Sequence, residues 1–324
     1  MNPELYILKN ENLEVHISTL GATICRMITG DGCGKPVDVV LGMERAEDYM
    51  TGAYIASGAY LGAGIGRYAN RIAGGRFAIG GAVYHLAVNN GPNHLHGGIC
   101  GFDRKNWEVL DYSRERIMLR YVSPDGEENY PGNLTAVITF ELEGKELGIH
   151  YRAYTDKPCF VNLTHHPYFN LNPEGADIRD HCLKLYTRKY LGTVDLIPDG
   201  SLVEVSGNYD FTSFRSLEGV IEHCGGLDDC FVFPDDRKLR RLAELYCEKS
   251  GIRMYVCSDY PGLQVYTGRY LDVDGARGGR HYGAYAGVAL EAQFWPDSPN
   301  HPDFPSALLC PGDRYDRTTV FGFE

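Results

Sequence analysis

The sequence predicts an all-β protein that folds as one large domain. The chain has 324 residues, of which 39 are glycine and 16 are proline, so residues that favour turns are frequent. Short runs of alternating apolar and polar residues recur along the chain, and this alternation is typical of half-buried strands. Length alone favours two domains, but all-β domains often exceed about 200 residues and no linker-like stretch divides this chain. We therefore expect residues 1–324 to form a single domain.

The first strands are predicted near the N-terminus, at residues 5–8, 13–18 and 23–25, where apolar and polar residues alternate. A hairpin is predicted at residues 76–86, because Gly80-Gly81 supplies the positive φ values that a two-residue turn demands. Turn residues separate nearly all the later runs of alternating apolar and polar residues. These runs predict strands at residues 107–112, 116–123, 134–142, 146–154 and 262–267.

Two later segments carry helical features. Residues 238–245 have leucines three apart, but alternation continues past them. Residues 243–248 and 252–257 flank a Ser-Gly turn, so we expect a second hairpin there rather than a long helix. A short helix is predicted at residues 213–224, with Ser213 as its N-cap and apolar residues recurring on one face.

Charge and composition exclude several classes of partner. The net charge is −12 and no run of Lys or Arg occurs, so we expect no nucleic acid and no anionic membrane surface as partner. The N-terminus resembles no secretory leader, no stretch of 18 apolar residues is present, and the ten cysteines are scattered without a C-x-x-C pair. We predict a cytoplasmic protein with a small neutral substrate. The sequence does not determine the oligomeric state, which is a monomer or a dimer.

Four segments combine reactive side chains with glycines and aromatic residues, which is typical of a site at strand ends or loops. Together they offer imidazoles, a carboxylate, amides and guanidinium groups, which is a set suited to acid–base chemistry on a neutral ligand. The segments are residues 66–72, 93–98, 162–171 and 290–297.

A metal site is one possible interpretation of these segments, because they contain several possible ligands, which are His94, His96, His165, His166 and Glu291. The spacing argues against it. No glutamate follows the H-x-H pair within a few residues, and adjacent histidines on a strand point to opposite faces. We therefore expect no metal.

Hydrolytic chemistry is also poorly supported. No G-x-S-x-G motif occurs, and no cysteine lies in a context typical of a nucleophile. Asp228 and Glu291 form a nominal carboxylate pair for glycoside hydrolysis, but the abundance of histidine favours another reaction. A His–Glu pair suits a reaction in which one proton leaves a hydroxyl while another reaches an oxygen near neutral pH.

The same segments resemble the aldose 1-epimerase (galactose mutarotase) family, and the similarity covers nearly the whole chain. The resemblance implies a single large antiparallel β-supersandwich with few short helices, a sugar site in an open cleft, and no cofactor. The motifs are L-H-G-G at residues 95–98, G-F-D at 101–103, N-L-T-H-H-P-Y-F-N-L at 162–171, G-G-L-D-D at 225–229, L-Q-V-Y-T-G at 263–268 and L-E-A-Q-F-W-P-D-S-P-N-H-P at 290–302.

The resemblance also implies catalytic roles for three residues. Glu291 matches the family's base, His166 matches its acid, and His96 matches its other active-site histidine. In the family mechanism the base takes the C1 hydroxyl proton while the acid protonates the ring oxygen. The ring opens, the C1–C2 bond rotates, and the same groups close the ring on the other carbonyl face. On this basis we expect a charged His166 with a pKa near or above 7, and an ionised Glu291.

Substrate binding is implied for Arg71, its neighbour Asn70, and Asp228, which would hold hydroxyl and ring oxygens through directed hydrogen bonds. An aromatic ring is expected to pack on the apolar face of the sugar. The candidates for that ring are Phe169, Trp295 and Tyr68.

The chain departs from the family pattern at two places. His165 stands where the family usually has Asn, and Asp229 and Cys230 replace the usual His and Asn after the binding aspartate. These changes bear on rate and specificity more than on reaction type. The predicted function is interconversion of the α and β anomers of free aldohexoses, galactose and glucose. The alternatives are a sugar-binding or regulatory protein with little catalysis, and a mutarotase for a hexose phosphate.

Overall fold

The computed structural model describes residues 2–172 and 177–324, and antiparallel strands dominate it. The first strands are β1 Leu5–Lys9, β2 Glu14–Ser18, β3 Thr23–Gly30, β4 Pro36–Asp38, β5 Gly64–Ile65, β6 Arg71–Ile72, β7 Arg76–Ile79, β8 Ala82–His85, β9 His94–Leu95, β10 Glu108–Tyr112, β11 Arg116–Ser123, β12 Leu134–Glu143, β13 Glu146–Thr155, β14 Cys159–Phe160, β15 Thr164–His165 and β16 Tyr168–Phe169. The later strands are β17 His181–Leu185, β18 Lys189–Val194, β19 Ile197–Glu204, β20 Arg215–Ser216, β21 Asp228–Val232, β22 Arg240–Cys247, β23 Arg253–Ser258, β24 Gly262–Tyr266, β25 Val273–Ala276, β26 Arg280–Tyr282, β27 Val288–Gln293, β28 Leu308–Leu309 and β29 Tyr315–Phe323. The α-helices are α1 Gly52–Ser57 and α2 Glu218–Cys224.

Three sheets make up most of the architecture. A nine-stranded sheet has the order β10-β11-β12-β13-β29-β23-β22-β17-β20, and a six-stranded sheet has the order β16-β27-β24-β21-β18-β19. A four-stranded sheet of β1 to β4 completes the set. The all-β supersandwich expected from the sequence is therefore confirmed, with short two-stranded pairs at its margins.

The two large sheets pack on each other through apolar side chains. Phe169 of β16 contacts Phe321 of β29 with ring centroids 5.0 Å apart, and both side chains are buried. Alternation along β12 and β13 places one face of each strand in this core, as the sequence pattern predicts. Trp107 is also fully buried, against Phe102.

Both predicted hairpins form. Strands β7 and β8 pair across Gly80-Gly81, and β22 pairs with β23 in the segment whose leucines suggested a helix. The predicted helix at residues 213–224 is wrong in its first turn. Residues 215–216 pair with β17 instead, so the helix begins only at Glu218 and Ser213 does not cap it.

Two further features concern the cysteines and the length of the helices. All ten cysteines are free. Within the residues that the structure describes, neither α-helix has the length or the apolar run that crossing a bilayer requires.

Candidate active site

A cleft of about 320 Å³ contains all six residues that are expected, from the family resemblance, to act in catalysis or substrate binding. Glu291 and Asp228 come from the six-stranded sheet, and His166 directly follows β15. Arg71 and His96 come from the paired strands β6 and β9, Arg71 within β6 and His96 directly after β9. Asn70, which precedes β6, is the sixth. Residues from five segments far apart in sequence thus meet in one place.

Glu291 lies at the floor of the cleft in the middle of β27. It pairs with Gln264 of β24, and its side chain is 2% exposed. Its Oε1 lies 3.5 Å from Nε2 of His166. The backbone amide of His166 donates to the carbonyl of Ala63, and its carbonyl accepts from the amide of Gly62, so the imidazole is held by a fixed main chain. A carboxylate and an imidazole therefore face one another at the base of the cleft.

The protonation of this pair differs from the sequence-based expectation. Burial lowers the pKa of His166 to about 4, where a pKa near or above 7 was expected. Burial, reinforced by the charge of Asp228, raises the pKa of Glu291 well above its usual value. The two shifts share a cause, because a dry site disfavours the charged form of each group. Both shifts therefore oppose the imidazolium and carboxylate forms that were expected from the sequence.

His96 has a defined tautomer. The backbone N–H of Asn70 donates to Nδ1 of His96 over 3.1 Å, so Nδ1 is an acceptor and the proton of the neutral ring is on Nε2. Burial lowers the pKa of His96 well below its usual value, which keeps the ring neutral. His96 therefore adds a hydrogen-bond donor to the cleft.

This tautomer bears on metal binding. Ligand atoms of His96, His166 and Glu291 lie within 4.8 Å of one another, which is a spacing that a metal ion could bridge. A metal needs a lone pair from each imidazole, whereas Nε2 of His96 carries a proton as long as Nδ1 accepts from Asn70. The donor set fits hydrogen bonding to oxygen better than metal coordination.

A second group of possible ligands, Asp180, His181 and Cys247, lies away from the cleft. His181 is already saturated, because Nε2 accepts from the amide of Leu171 and Nδ1 contacts the carboxylate of Asp180 at 2.9 Å. The group is therefore explained by hydrogen bonds within the fold.

The polar rim of the cleft is built around Arg71. Its Nε donates to Oδ1 of Asn90 over 3.1 Å, and its Nη2 lies 3.6 Å from Oδ2 of Asp228. Nε2 of Gln264 donates to Oδ1 of Asp228 over 2.7 Å. These contacts fix a guanidinium group and a carboxylate on one side of the cleft, where each can bind hydroxyl groups.

Other candidates from the same motifs lie in the framework. His165 faces away from His166, as strand alternation predicts, and bonds the hydroxyl of Tyr151 and the carbonyl of Ala22. His94 bonds the hydroxyl of Tyr130 and a backbone carbonyl. Arg67, which also belongs to these motifs, is buried and donates to Ser123 and to backbone carbonyls.

The aromatic residues of the cleft are not the ones expected. Phe169 and Tyr68 belong to the core, and Trp295 packs on Phe304 outside the cleft. The sequence offered a weak signal for their replacements, since Tyr168 and Tyr266 lie within two of the motifs. The rings that line the cleft are those of Tyr60, Tyr168, Tyr266 and Tyr270.

The chain is similar to known proteins of one family over nearly its whole length. The family model described as aldose 1-epimerase matches residues 4–322. A galactose mutarotase from Mus musculus is 41% identical over 99% of this chain and 94% of its own, and an aldose 1-epimerase from Escherichia coli is 34% identical over 98% and 94%. A solved structure of an aldose epimerase homologue from C. elegans superposes with a TM-score of 0.92 at 28% identity, covering 99% of both chains. The chain belongs to the aldose 1-epimerase family.

Proposed function

We propose that this protein is an isomerase that interconverts the α and β anomers of free aldohexoses, with galactose and glucose as its substrates. One observation carries the proposal: an acid and a base, His166 and Glu291, face each other at 3.5 Å in the floor of a polar cleft. The relatives named above are mutarotases and aldose 1-epimerases, which supports the same reaction.

In the proposed mechanism Glu291 accepts the proton of the C1 hydroxyl and His166 donates a proton to the ring oxygen. The proton must therefore reside on His166 at the start of the reaction, whereas burial alone favours it on Glu291. The C1 hydroxyl supplies the missing stabilisation, because a hydroxyl that donates to the carboxylate favours its ionised form. A ring oxygen that accepts from Nε2 favours the imidazolium in the same way. After rotation about C1–C2, the two groups exchange roles and close the ring.

The other residues of the cleft bind the sugar in this proposal. Nε2–H of His96 donates to a sugar oxygen, Arg71 donates to hydroxyl groups, and the carboxylate of Asp228 accepts from them. Asn70 fixes the ring of His96 through its backbone. No cofactor takes part.

The hexose-phosphate alternative finds little support in the cleft. Of the lining residues that the structure describes, Arg71 is the one Lys or Arg, and it already faces Asp228. A phosphate group would meet two carboxylates and a single cation, so binding of a dianion is disfavoured. A binding protein without catalysis would not require His166 and Glu291 to be buried together.

We also propose a single domain over residues 1–324 and a cytoplasmic location. One apolar core draws on residues from Leu8 to Phe323, which supports the single domain. Ten free cysteines are in keeping with a reducing compartment.

Polarimetry of freshly dissolved α-galactose tests the reaction and the roles together. We expect the wild type to speed the approach to equilibrium, and His166→Asn and Glu291→Gln to lower kcat by about 10²-fold or more. His165→Asn is the matched control, since this neighbouring histidine faces the core. A wild type without effect on the rate would refute the reaction. Variants of His166 and Glu291 with full activity would refute their roles.

A further inference from the structure

An unusual set of buried polar atoms surrounds Glu291. The side chain of Gln293 is fully buried, yet neither its Nε2 nor its Oε1 has a hydrogen-bond partner within the described part of the chain. The same holds there for Oε2 of Glu291 and Oε1 of Gln264. Such atoms cost free energy unless they are satisfied, so a native structure that keeps them calls for a partner.

The register of the sheet brings these atoms to one place. Gln264 lies directly opposite Glu291, and Gln293 lies two residues further along β27, so the three side chains share a face. Residues two apart on a strand are separated by about 6.6 Å. A single water molecule joins groups up to about 5.6 Å apart through two hydrogen bonds, so it can link two side chains that lean toward each other.

The residues across the ladder from Gln293 offer its amide no strong hydrogen-bond partner. Its partner across the ladder, Gly262, has no side chain to offer. A Cβ placed on that glycine would meet Sγ of Cys230 at 2.9 Å and Cδ1 of Trp295 at 3.0 Å. The space beside Gly262 is thus bordered by weakly polar or apolar groups. On this face of the sheet, Gln264 and Glu291 carry acceptor atoms that lack a partner within the described residues.

The pattern of donors and acceptors is complementary. Nε2 of Gln264 donates to the carboxylate of Asp228, which fixes the orientation of that amide and leaves its Oε1 as an acceptor. Oε2 of an ionised Glu291 is also an acceptor. A water molecule that donates to both still has lone pairs that accept hydrogen bonds, and Nε2 of Gln293 is a donor that can supply one.

We propose that Gln293 is a positioning residue, which with Gln264 holds a buried water molecule against Oε2 of Glu291. The inference rests on the proposed role of Glu291 as the base. The water donates to the carboxylate and so favours its ionised form, which is the form that accepts the C1 proton. It also holds Oε2 in place, which keeps Oε1 directed toward His166.

The first test is a crystal structure of the wild-type protein at a resolution that shows ordered water. We expect one water molecule within hydrogen-bond distance of Nε2 of Gln293, Oε1 of Gln264 and Oε2 of Glu291. A structure in which the amide of Gln293 bonds only protein groups would overturn the proposal. This readout does not depend on activity.

The second test is kinetic and uses Gln293→Met, which keeps the shape of the side chain and removes its donor. We expect kcat to fall about tenfold with KM nearly unchanged, and the alkaline limb of kcat/KM to move up by about one pH unit, which corresponds to loss of one hydrogen bond to a charged group. Gln293→Asn keeps a shorter amide, so its kcat and its alkaline limb should lie between those of Gln293→Met and those of the wild type.

Val265→Ala is the control for loss of stability alone, because Val265 is buried on the opposite face of β24. It should lower the unfolding free energy without moving the pH profile. A Gln293→Met protein with the wild-type kcat and pH profile would overturn the proposal while leaving the proposed function intact. If the wild type itself shows no mutarotation, the proposed function fails and the crystal structure alone decides the water site.

Discussion

The backbone N–H of Asn70 donates a hydrogen bond of 3.1 Å to Nδ1 of His96, and this contact decides what His96 can do. A backbone amide can only donate, so the ring nitrogen that receives it has a free lone pair. The other ring nitrogen must then carry the proton. His96 enters the cleft as a neutral donor, with Asn70 contributing through its main chain.

This tautomer predicts the effect of changing His96. In His96→Gln the amide nitrogen replaces Nε2 as a donor, so we expect the variant to keep most of the kcat/KM of the wild type. His96→Leu has no donor and should lose about tenfold or more, which corresponds to a hydrogen bond left unmade in a buried site. Polarimetry over a range of sugar concentrations gives both values. Equal losses in the two variants would contradict the donor role.

The pH dependence of the reaction follows from the shifted pKa values of the catalytic pair. Mutarotation needs the His166–Glu291 pair to hold one proton, and loss of that proton sets the alkaline limb of kcat/KM. Burial raises the pKa of Glu291, and the negative charge of Asp228 raises it further. Removal of this charge in Asp228→Asn lowers that pKa, so the alkaline limb should move to lower pH.

Asp229→Asn is the control for this shift. Asp229 follows Asp228 directly in β21, so its side chain lies on the opposite face of the strand. We expect the limb of this variant to stay where it is in the wild type. An Asp228→Asn profile that keeps the wild-type limb would show that this charge does not act on the pair.

Much of the fold could be predicted from the sequence, because alternation and turn residues are local signals. Strand β22 shows this, since alternation correctly outweighed its helical leucine spacing. The start of α2 could not be predicted, because residues 215–216 pair with a strand about thirty positions away.

The residues of the candidate site also divide into those that the sequence could predict and those that it could not. Glu291 and His166 lie in motifs and could be selected from the sequence. Tyr60 and Asn90 also line the cleft, but they lie just before the segments 66–72 and 93–98, where no motif marks them. The pKa of His166 depends on burial by many distant residues, and no local pattern encodes that burial.

The turn after His96 predicts a steric effect at Gly97. Its φ is +86°, and a Cβ there would lie 1.8 Å from the carbonyl oxygen of Gly66. Because backbone must move to relieve this contact, we expect Gly97→Ala to displace His96 and to lower both the unfolding free energy and kcat/KM. Gly91 is a matched control, with a φ of +54° and no atom within 4 Å of the added Cβ.

Gly91→Ala should cost about 1 kcal/mol for its left-handed backbone alone. Gly97→Ala should cost at least about 2 kcal/mol more, in the range of other buried steric changes. Urea unfolding and polarimetry of both variants check this. Equal unfolding free energies would show that the turn accepts a side chain without strain.

His165 predicts how stability depends on pH. Burial lowers the pKa of His165 to about 4 in the folded protein, whereas an exposed histidine in the unfolded chain titrates near 6.5. Between these values the unfolded state binds a proton that the folded state does not, so stability is lost as the pH falls from about 6.5 to about 4, at about 1.4 kcal/mol per pH unit.

His165→Asn removes this proton uptake. Asn loses contacts to Tyr151 and Ala22, so the variant is expected to be less stable at pH 7. Its loss of unfolding free energy between pH 7 and pH 5 should nevertheless be smaller than that of the wild type by about 2 kcal/mol. Urea unfolding at the two pH values measures the difference. If the wild type and the variant lost the same unfolding free energy between pH 7 and pH 5, His165 would bind protons equally in the folded and unfolded states. Its bonds to Tyr151 and Ala22 would then not hold the ring neutral.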